Sequence, residues 1–397
     1  MTQFQKGVRM SLSPNSNVMR EVFVSGTGLI PFGKFPELSL GDLGWPAVRE
    51  AILESGLVVE QIDAVYCGCA LGGMLAGQRV MKKIGKTGMP IINVENACSS
   101  SSSALSIAWL EIASGRQDAV LVIGVEKLTK FGGGTLPLEH EDWEVRQGMV
   151  MPAIYAMRAQ RYMHEFGLTE RQLAEVSVKA HKHGALNPRA QITKTVTVEE
   201  VMGARKVADP FTLWHCCPTG DGAAAVLLTS KSLSTRGEAK PVRISASDVT
   251  SGVFTSGFRD MTWAELSARG AREAYEIAGI GPEDIDVAEL HDAFTIAELM
   301  YYEALGFCNK GDGYGLLASG RTSLGGDCVV NPSGGLLSRG HPVGATGVAQ
   351  AVEISRQLQN RAGKHQVDKA KVGLTHATGG GVAGYDHGAC SIHIFEV

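Results

Sequence analysis

Residues 49–63, REAILESGLVVEQID, recur as REAYEIAGIGPEDID at 272–286. An ungapped offset of 223 residues aligns Arg, Glu, Ala, Gly, Glu, Ile and Asp. Each copy reads as a helix ended by a glycine, Gly56 or Gly279, then a turn, then a strand. The strands are AVYCGCAL and VAELHDAF. Later in each half a segment of small residues leads into a helix: NACSSSSSALSIAWLEIASG in the first, NPSGGLLSRGHPVGATGVAQAVEISRQLQ in the second. Each half closes on an apolar strand, AAAVLLTS or ACSIHIFEV. Matches gathered in one ungapped window, with element order kept, point to duplication rather than chance.

Strands alternating with helices imply α/β layers with mainly parallel pairing. Residues 131–210 break the alternation with FGGGTLPLEHEDWE and two helical runs, and read as an insertion placed to cover a site. The expected organisation is a flexible lead over 1–20, a first half over 21–236 and a second half over 237–397. The turn-rich KSLSTRGEAKP joins the halves.

The formal net charge of −4 points to no nucleic-acid or membrane-surface partner. No apolar run reaches the roughly 18 residues of a membrane-spanning helix, and residues 1–20 lack the apolar core of a signal peptide. A cytoplasmic chain with reduced thiols is therefore expected. The eight cysteines form no pair of CxxC motifs, so no metal site is expected in this chain. Seven of them read as small buried hydrophobes.

Cys98 is different. In NVENACSSSSSAL it follows an apolar strand, MPIINVENA, read as buried, and precedes an amphipathic helix. A thiol at a helix N-terminus meets free N–H groups and the positive end of the dipole, which favour thiolate and can hold an oxyanion. The serines would let backbone approach a substrate carbonyl, or cap the helix. His341 stands among glycines in NPSGGLLSRGHPVGATG, as a base must if it approaches both a thiol and an incoming ligand. His291 and Asp292 lie at a strand end in ELHDAFTIAEL, and His376 opens GLTHATGGGVAG. Strand ends are where layered α/β folds bind ligands.

These motifs, together with VFVSGTGLIPFG and TGDGAAAVLL, resemble the thiolase superfamily over nearly the whole chain. HDAF makes the sequence similar to the sterol-carrier-protein and archaeal acetoacetyl-CoA types. The resemblance implies the thiolase fold: two duplicated βαβαβ-type halves in an αβαβα arrangement, with an inserted loop domain. It implies an acyl-CoA C-acyltransferase that cleaves a 3-oxoacyl-CoA with CoA, or runs the reverse Claisen condensation, through an acyl-cysteine. The alternatives are acyl transfer or retro-aldol cleavage on the same scaffold, and non-catalytic acyl-CoA or lipid binding. Cys98 would be the nucleophile and His341 its base. His291 would serve one oxyanion hole, and the N–H groups of Cys98 and Gly379 another. No bound cofactor is expected, with CoA as substrate. Met157, Arg158 and Tyr162 would line its pantetheine arm. A homodimer or tetramer pairing PIINV, and a small zinc-ribbon/OB-fold partner protein, are further implications. Thiolases of this superfamily place a second cysteine where this chain has Ala377 or Ala293. The acid that protonates the product carbon must then be another group, with His291 ranked first and His376 second.

Overall fold

The computed structural model describes residues 19–85, 88–253, 259–380 and 387–397. Most of the expected lead lies outside them. Arg20, its last residue, is tied down: its amide donates to Ala113 O at 2.9 Å and its guanidinium to Asp118 at 2.9 Å.

The first half runs β1 (Val22–Leu29), α1 (Leu40–Ser55), β2 (Ala64–Gly68), α2 (Ala76–Met81), β3 (Ile91–Val94), α3 (Ser100–Ala113), β4 (Ala119–Lys127). The insertion then supplies α4 (Trp143–Arg146), α5 (Met151–Phe166), α6 (Glu170–Gly184), α7 (Val198–Met202) and the hairpin β5 (Lys206–Ala208) and β6 (Phe211–Thr212). Strand β7 (Asp221–Ser230) closes the half. The second half runs β8 (Val242–Ser251), α8 (Glu265–Ala278), β9 (Val287–Glu289), α9 (Thr295–Ala304), α10 (Gly313–Ala318), β10 (Val329–Val330). It ends with α11 (Gly335–Arg339), α12 (Thr346–Leu358), β11 (Val372–Gly379) and β12 (Ala389–Glu396).

Both copies of the repeat do the same structural work. Gly56 (φ 70°) and Gly279 (φ 75°) end α1 and α8 in the left-handed conformation that glycine tolerates best. The repeat's final aspartate then joins two strands. Asp63 accepts from the amides of Asp118 (2.8 Å) and Ala119 (2.9 Å), and Asp286 from those of Lys371 (2.7 Å) and Val372 (3.0 Å). Those amides stand at the starts of β4 and β11, the equivalent strands of the two halves.

The strands follow the order β3-β2-β4-β7-β1 in one half and β10-β9-β11-β12-β8 in the other, meeting where β1 pairs with β8. Pairing is parallel among β3, β2 and β4, and antiparallel along β4, β7 and β1. The second half repeats this. The expectation of mainly parallel pairing therefore holds only for the outer strands. A parallel return needs a crossover of about a dozen residues. The link from β11 to β12 is too short for one, and the insertion returns the chain to the end of β4 that it left, with Lys127 opposite Asp221.

Helix α1 covers the outer face of the first half's strands, and α8 that of the second. Helices α3 and α12 lie between the two sets of strands, giving the layers αβαβα. The middle layer explains the serine run. Ser99 to Ser103 are all buried, and each hydroxyl has a partner. Ser99 meets Ser391 Oγ (2.7 Å), and Ser100 donates to Ala97 O (2.6 Å). Ser101 accepts from the Val348 amide (3.1 Å), Ser102 meets His393 (2.9 Å), and Ser103 accepts from Asn96 (2.9 Å). The serines thus tie the turn and helix to β12, to α12 and to the preceding loop rather than face substrate. Small side chains let the helix approach these neighbours, and paired hydroxyls avoid the cost of buried unsatisfied polar groups. Helix α3 is accordingly buried on two faces, not amphipathic.

Close approach also depends on glycine. A Cβ on Gly68 would stand 2.2 Å from Ser101 Cα, and one on Gly347 would stand 2.6 Å from the Ser102 amide nitrogen. Both obstacles are backbone, which cannot turn away. We expect Gly68→Ala to destabilise the protein by about 2 kcal/mol or more, as overpacking a tight contact does. A urea midpoint unchanged from the wild type would contradict this.

Candidate active site

Cys98 sits in the short 3-10 turn Ala97–Ser99 that feeds α3. Ala97 just before it has φ 48°, a left-handed conformation costly for a residue with a side chain. Local bonds hold it: its amide donates to Glu95 (2.6 Å), its carbonyl accepts from Ser100, and Ser100 Oγ also accepts from the Asn96 amide (3.0 Å). The bend presents the thiol to a cavity.

Burial pushes the Cys98 thiol up to about 12, with the carboxylates of Glu126 and Glu95 adding to the effect. The amides of Gly380 and of Cys98 itself point at the sulfur and act the other way without offsetting burial. A helix N-terminus therefore does not make this sulfur a resting thiolate, as the sequence suggested. Its proton needs a base.

His341 supplies the geometry of one. The segment from 328 to 358 is buried throughout, so its glycines are not an exposed loop. Thr346 Oγ1 donates to Pro342 O at 3.3 Å and is left to accept from His341 Nδ1–H at 2.8 Å. This assigns the tautomer with a lone pair on Nε2, a buried atom with no partner among the described residues. Burial, then the Arg339 cation, lower His341 to about 3, so the ring is neutral.

His291 follows β9. Its ring meets that of His341 edge-on, with centroids 4.9 Å apart. The Cys98 sulfur and one nitrogen from each of His291 and His341 lie within 4.8 Å of one another. A thiol and two neutral imidazoles are also the donor set a soft cation would find. Burial first, then its neighbouring histidines, push His291 well below its ordinary value. A neutral imidazole suits hydrogen-bond donation to an oxyanion better than proton transfer to carbon.

The NPSGGLLSRG stretch acts on these residues indirectly, by fastening two segments. Asn331 accepts from the Leu290 amide (2.7 Å), Ser333 donates to Glu289 (2.8 Å), and Arg339 pairs with Glu289 (2.9 Å). Asp292 accepts from the Leu336 amide at 2.7 Å, so its carboxylate is a structural tie.

The cavity measures about 630 Å³. Cys98, His291, His341, Thr378 and Gly380 reach it from the two halves, and Met151, Pro152 and Tyr155 from α5 of the insertion. Three expected placements need correction. The glycine amide aimed at Cys98 is that of Gly380, not Gly379; Gly379 belongs to β11, where a Cβ would stand 2.1 Å from Asn96 O. His376 points away from the cavity, as alternation along a strand dictates, to bond Ser267 at 2.8 Å and pack on Tyr301. Met157, Arg158 and Tyr162 face elsewhere than the cavity. Met157 is exposed, Arg158 donates to Met261 O, and Tyr162 bonds Glu303. It is Met151, Pro152 and Tyr155 on another face of the same helix that line the cavity. Residues 381–384 of GLTHATGGGVAG lie outside the described residues.

Sequence reading missed Tyr155, His387 and Cys217, which also line the cavity. Tyr155 bonds His387 Nε2 at 2.6 Å and stacks on Phe294 at 4.5 Å, fastening the insertion to the HDAF segment. The pair CCPTG (216–220), small residues just before β7, was the available sign of Cys217.

With this geometry in place, comparison with known proteins defines the class. The family description "Thiolase, N-terminal domain" matches residues 22–232, and "Thiolase C-terminal domain-like" matches 248–387. The chain belongs to the thiolase family, and is an acyl-CoA C-acyltransferase. Its relatives include the benzoylsuccinyl-CoA thiolase subunit BbsB of Thauera aromatica, 42% identical over 91% of this chain and 95% of that one. The acetyl-CoA acetyltransferase of Methanothermobacter thermautotrophicus is 40% identical over 95% of this chain and 100% of its own. Among solved structures, the Ltp2-ChsH2(DUF35) aldolase superposes with TM-score 0.83 at 25% identity, covering 96% of this chain and 98% of that one.

The buried His376 has a testable pH signature. Burial, then His387, lower it to about 3 in the fold, and unfolding returns it to 6.5. Between these values the unfolded chain holds the extra proton, so this residue's contribution to stability falls as pH falls below 6.5. The slope is about 1.4 kcal/mol per pH unit. The stability cost of His376→Gln should therefore shrink by about 2 kcal/mol between pH 7.5 and pH 5. An equal cost at both pH values, measured by urea unfolding, would assign His376 a different state.

Proposed function

We propose that Cys98 is the acylated nucleophile of a thiolase reaction, with His341 as its base. The observation that carries this is the cluster of Cys98, His291 and His341 within 4.8 Å, with His341 Nε2 buried and unpartnered among the described residues. In cleavage, the Cys98 proton passes to His341 as the sulfur attacks C3 of a 3-oxoacyl-CoA. Because the sulfur rests as a thiol, deprotonation accompanies attack rather than preceding it. The C2–C3 bond breaks, the acyl group stays on Cys98, and the electron pair becomes an enolate stabilised by the thioester carbonyl. His291 donates to one of the developing oxyanions, and the Cys98 and Gly380 amides to the other. After C2 is protonated, the thiolate of CoA takes the acyl group, and His341 returns its proton to Cys98.

Exposed Lys34 and Arg205 line the cavity and place positive charge where the phosphates of CoA would enter. A retro-aldol reading draws support from the aldolase neighbour, but it leaves the acyl-forming cysteine without a task. The absence of any acyl adduct would favour that reading, or acyl-CoA binding alone.

The protomer leaves β3 at the end of the strand order, with Ile92 47% exposed. The sequence predicts a buried strand here, and a homodimer pairing β3 about a two-fold axis would bury it. Eight free thiols fit a reducing cytoplasm. A small zinc-ribbon/OB-fold partner draws support from the word "subunit" in one relative's name and from the paired title of the aldolase neighbour.

Two experiments test these assignments. Intact-mass spectrometry after incubation with acetyl-CoA should show an adduct on the wild type and none on Cys98→Ala. In an assay of CoA-dependent cleavage over acetoacetyl-CoA and benzoylsuccinyl-CoA, His341→Ala should lower turnover ~10²–10⁴-fold. Turnover by Cys98→Ala at the wild-type rate would sink the mechanism. Ile92→Lys should raise the monomer fraction in light scattering at micromolar concentration; a wild type that is already monomeric refutes the dimer.

A further inference from the structure

Carbon–carbon cleavage leaves an enolate whose C2 must take a proton, and the two positions where a second cysteine was expected hold Ala293 and Ala377. Ala377 is buried within β11. Ala293 lies beside another thiol. The Cys217 amide donates to Ala293 O at 2.9 Å, and Cys216 bridges to Phe294 on the neighbouring chain segment. Two residues further on, Thr219 bridges to His341. The CCPT segment therefore runs between the HDAF motif and the base. Its second cysteine lines the same cavity as Cys98, His291 and His341.

His291 Nδ1 and His341 Nε2 have no partner among the described residues, but they serve an oxyanion and Cys98 in the mechanism above; three further proton carriers around the cavity are engaged. Tyr155 bonds His387, Thr378 meets the Tyr301 hydroxyl at 3.2 Å, and Cys216 points its sulfur to Thr212 O at 3.7 Å. The Cys217 sulfur meets its own amide, and among the described residues no other residue hydrogen-bonds it. We propose that Cys217 is the second catalytic thiol, carrying the proton to and from C2 and so replacing from a different strand segment the cysteine that positions 293 and 377 lack. This rests on the thiolase mechanism given above.

The step balances. When C2–C3 breaks, the carbanion pair takes the Cys217 proton, giving the acyl-CoA product and a Cys217 thiolate. CoA gives its own proton to solvent and attacks the acyl group on Cys98 as the thiolate, while the Cys217 thiolate regains its proton from solvent. Condensation runs the same path in reverse, with Cys217 as the base. Burial raises the Cys217 thiol well above its ordinary value, and the neighbouring Cys216 and Cys98 add to this. The group is therefore protonated at neutral pH, as an acid for a carbanion must be.

The test uses acetyl-CoA as probe with the full chain, its Cys217→Ala and its Cys217→Ser. Cys98 acetylation, read by intact mass, requires no proton transfer at carbon. Exchange of the acetyl-CoA methyl protons in D2O does require it. Both variants should acetylate within a few-fold of the wild type and lose methyl exchange ~10²–10⁴-fold. Acetylation retained with exchange at the wild-type rate overturns this assignment alone, leaving His341 or the Tyr155–His387 pair to move the proton. Acetylation lost in both variants also overturns it, because Cys217 would then support the nucleophile. A wild type that never acetylates overturns the Cys98 mechanism and this assignment with it.

Discussion

Gly68 and Gly347 meet Ser101 and Ser102 with no room for a methyl group between them, and that contact governs the middle layer. Two helices lie between two sets of strands, so every residue of α12 and most of α3 face backbone or another side chain, with Ile107 and Leu110 of α3 left exposed. Helix α12 carries Gln350, Glu353, Arg356 and Gln357 at positions as buried as its valines. Such polar groups are tolerable only when paired. Gln357, for example, donates to Glu353 and to His365 O, both at 2.8 Å. Close packing and the pairing of most of these groups together make the layer rigid, although Gln350 Oε1 and Ser355 Oγ have no partner among the described residues.

The site inherits this rigidity. Helices α3 and α12 are equivalents from the two halves, and their N-terminal ends meet at the cavity. One end brings Cys98 and the other His341. Glu126, at the end of β4, accepts from Ala70 (3.0 Å), Leu71 (3.1 Å) and Gly344 (3.0 Å), tying the first half to the loop that positions His341. Duplication thus gives one turn twice, and in the proposed mechanism divergence makes one copy a nucleophile and the other a base. The insertion has no copy in the second half, and it contributes the cavity's apolar and aromatic wall.

Burial has opposite consequences for the two reacting groups. It holds Cys98 as a thiol and His341 as a neutral imidazole, so neither is charged before substrate binds. In the proposed mechanism charge separates only when a substrate carbonyl accepts the electron pair and the waiting N–H groups donate to the oxyanion. Water-exposed versions of the same residues would titrate without substrate. Such a site rewards transition-state charge rather than ground-state binding.

The repeat at 49–63 and 272–286 determined the halves, their order and even the matched roles of Asp63 and Asp286. Residue types and motif spacing marked Cys98, His291 and His341, because small residues crowd around groups that backbone must approach. Side-chain direction was not legible. One position separates Gly379 from Gly380, and alternation along β11 turned His376 away from the cavity. On α5 the pattern located the helix but not which face met the cavity, since Tyr155 and Tyr162 look alike in sequence. The serine run looked too polar for a core, because its partners, Ser391 and His393 among them, lie nearly 300 residues away in the chain. Cys217 carried only the weak sign of the CCPTG stretch, for the same reason. Its neighbours Ala293 and His341 come from other segments, and only the tertiary structure brings them beside it.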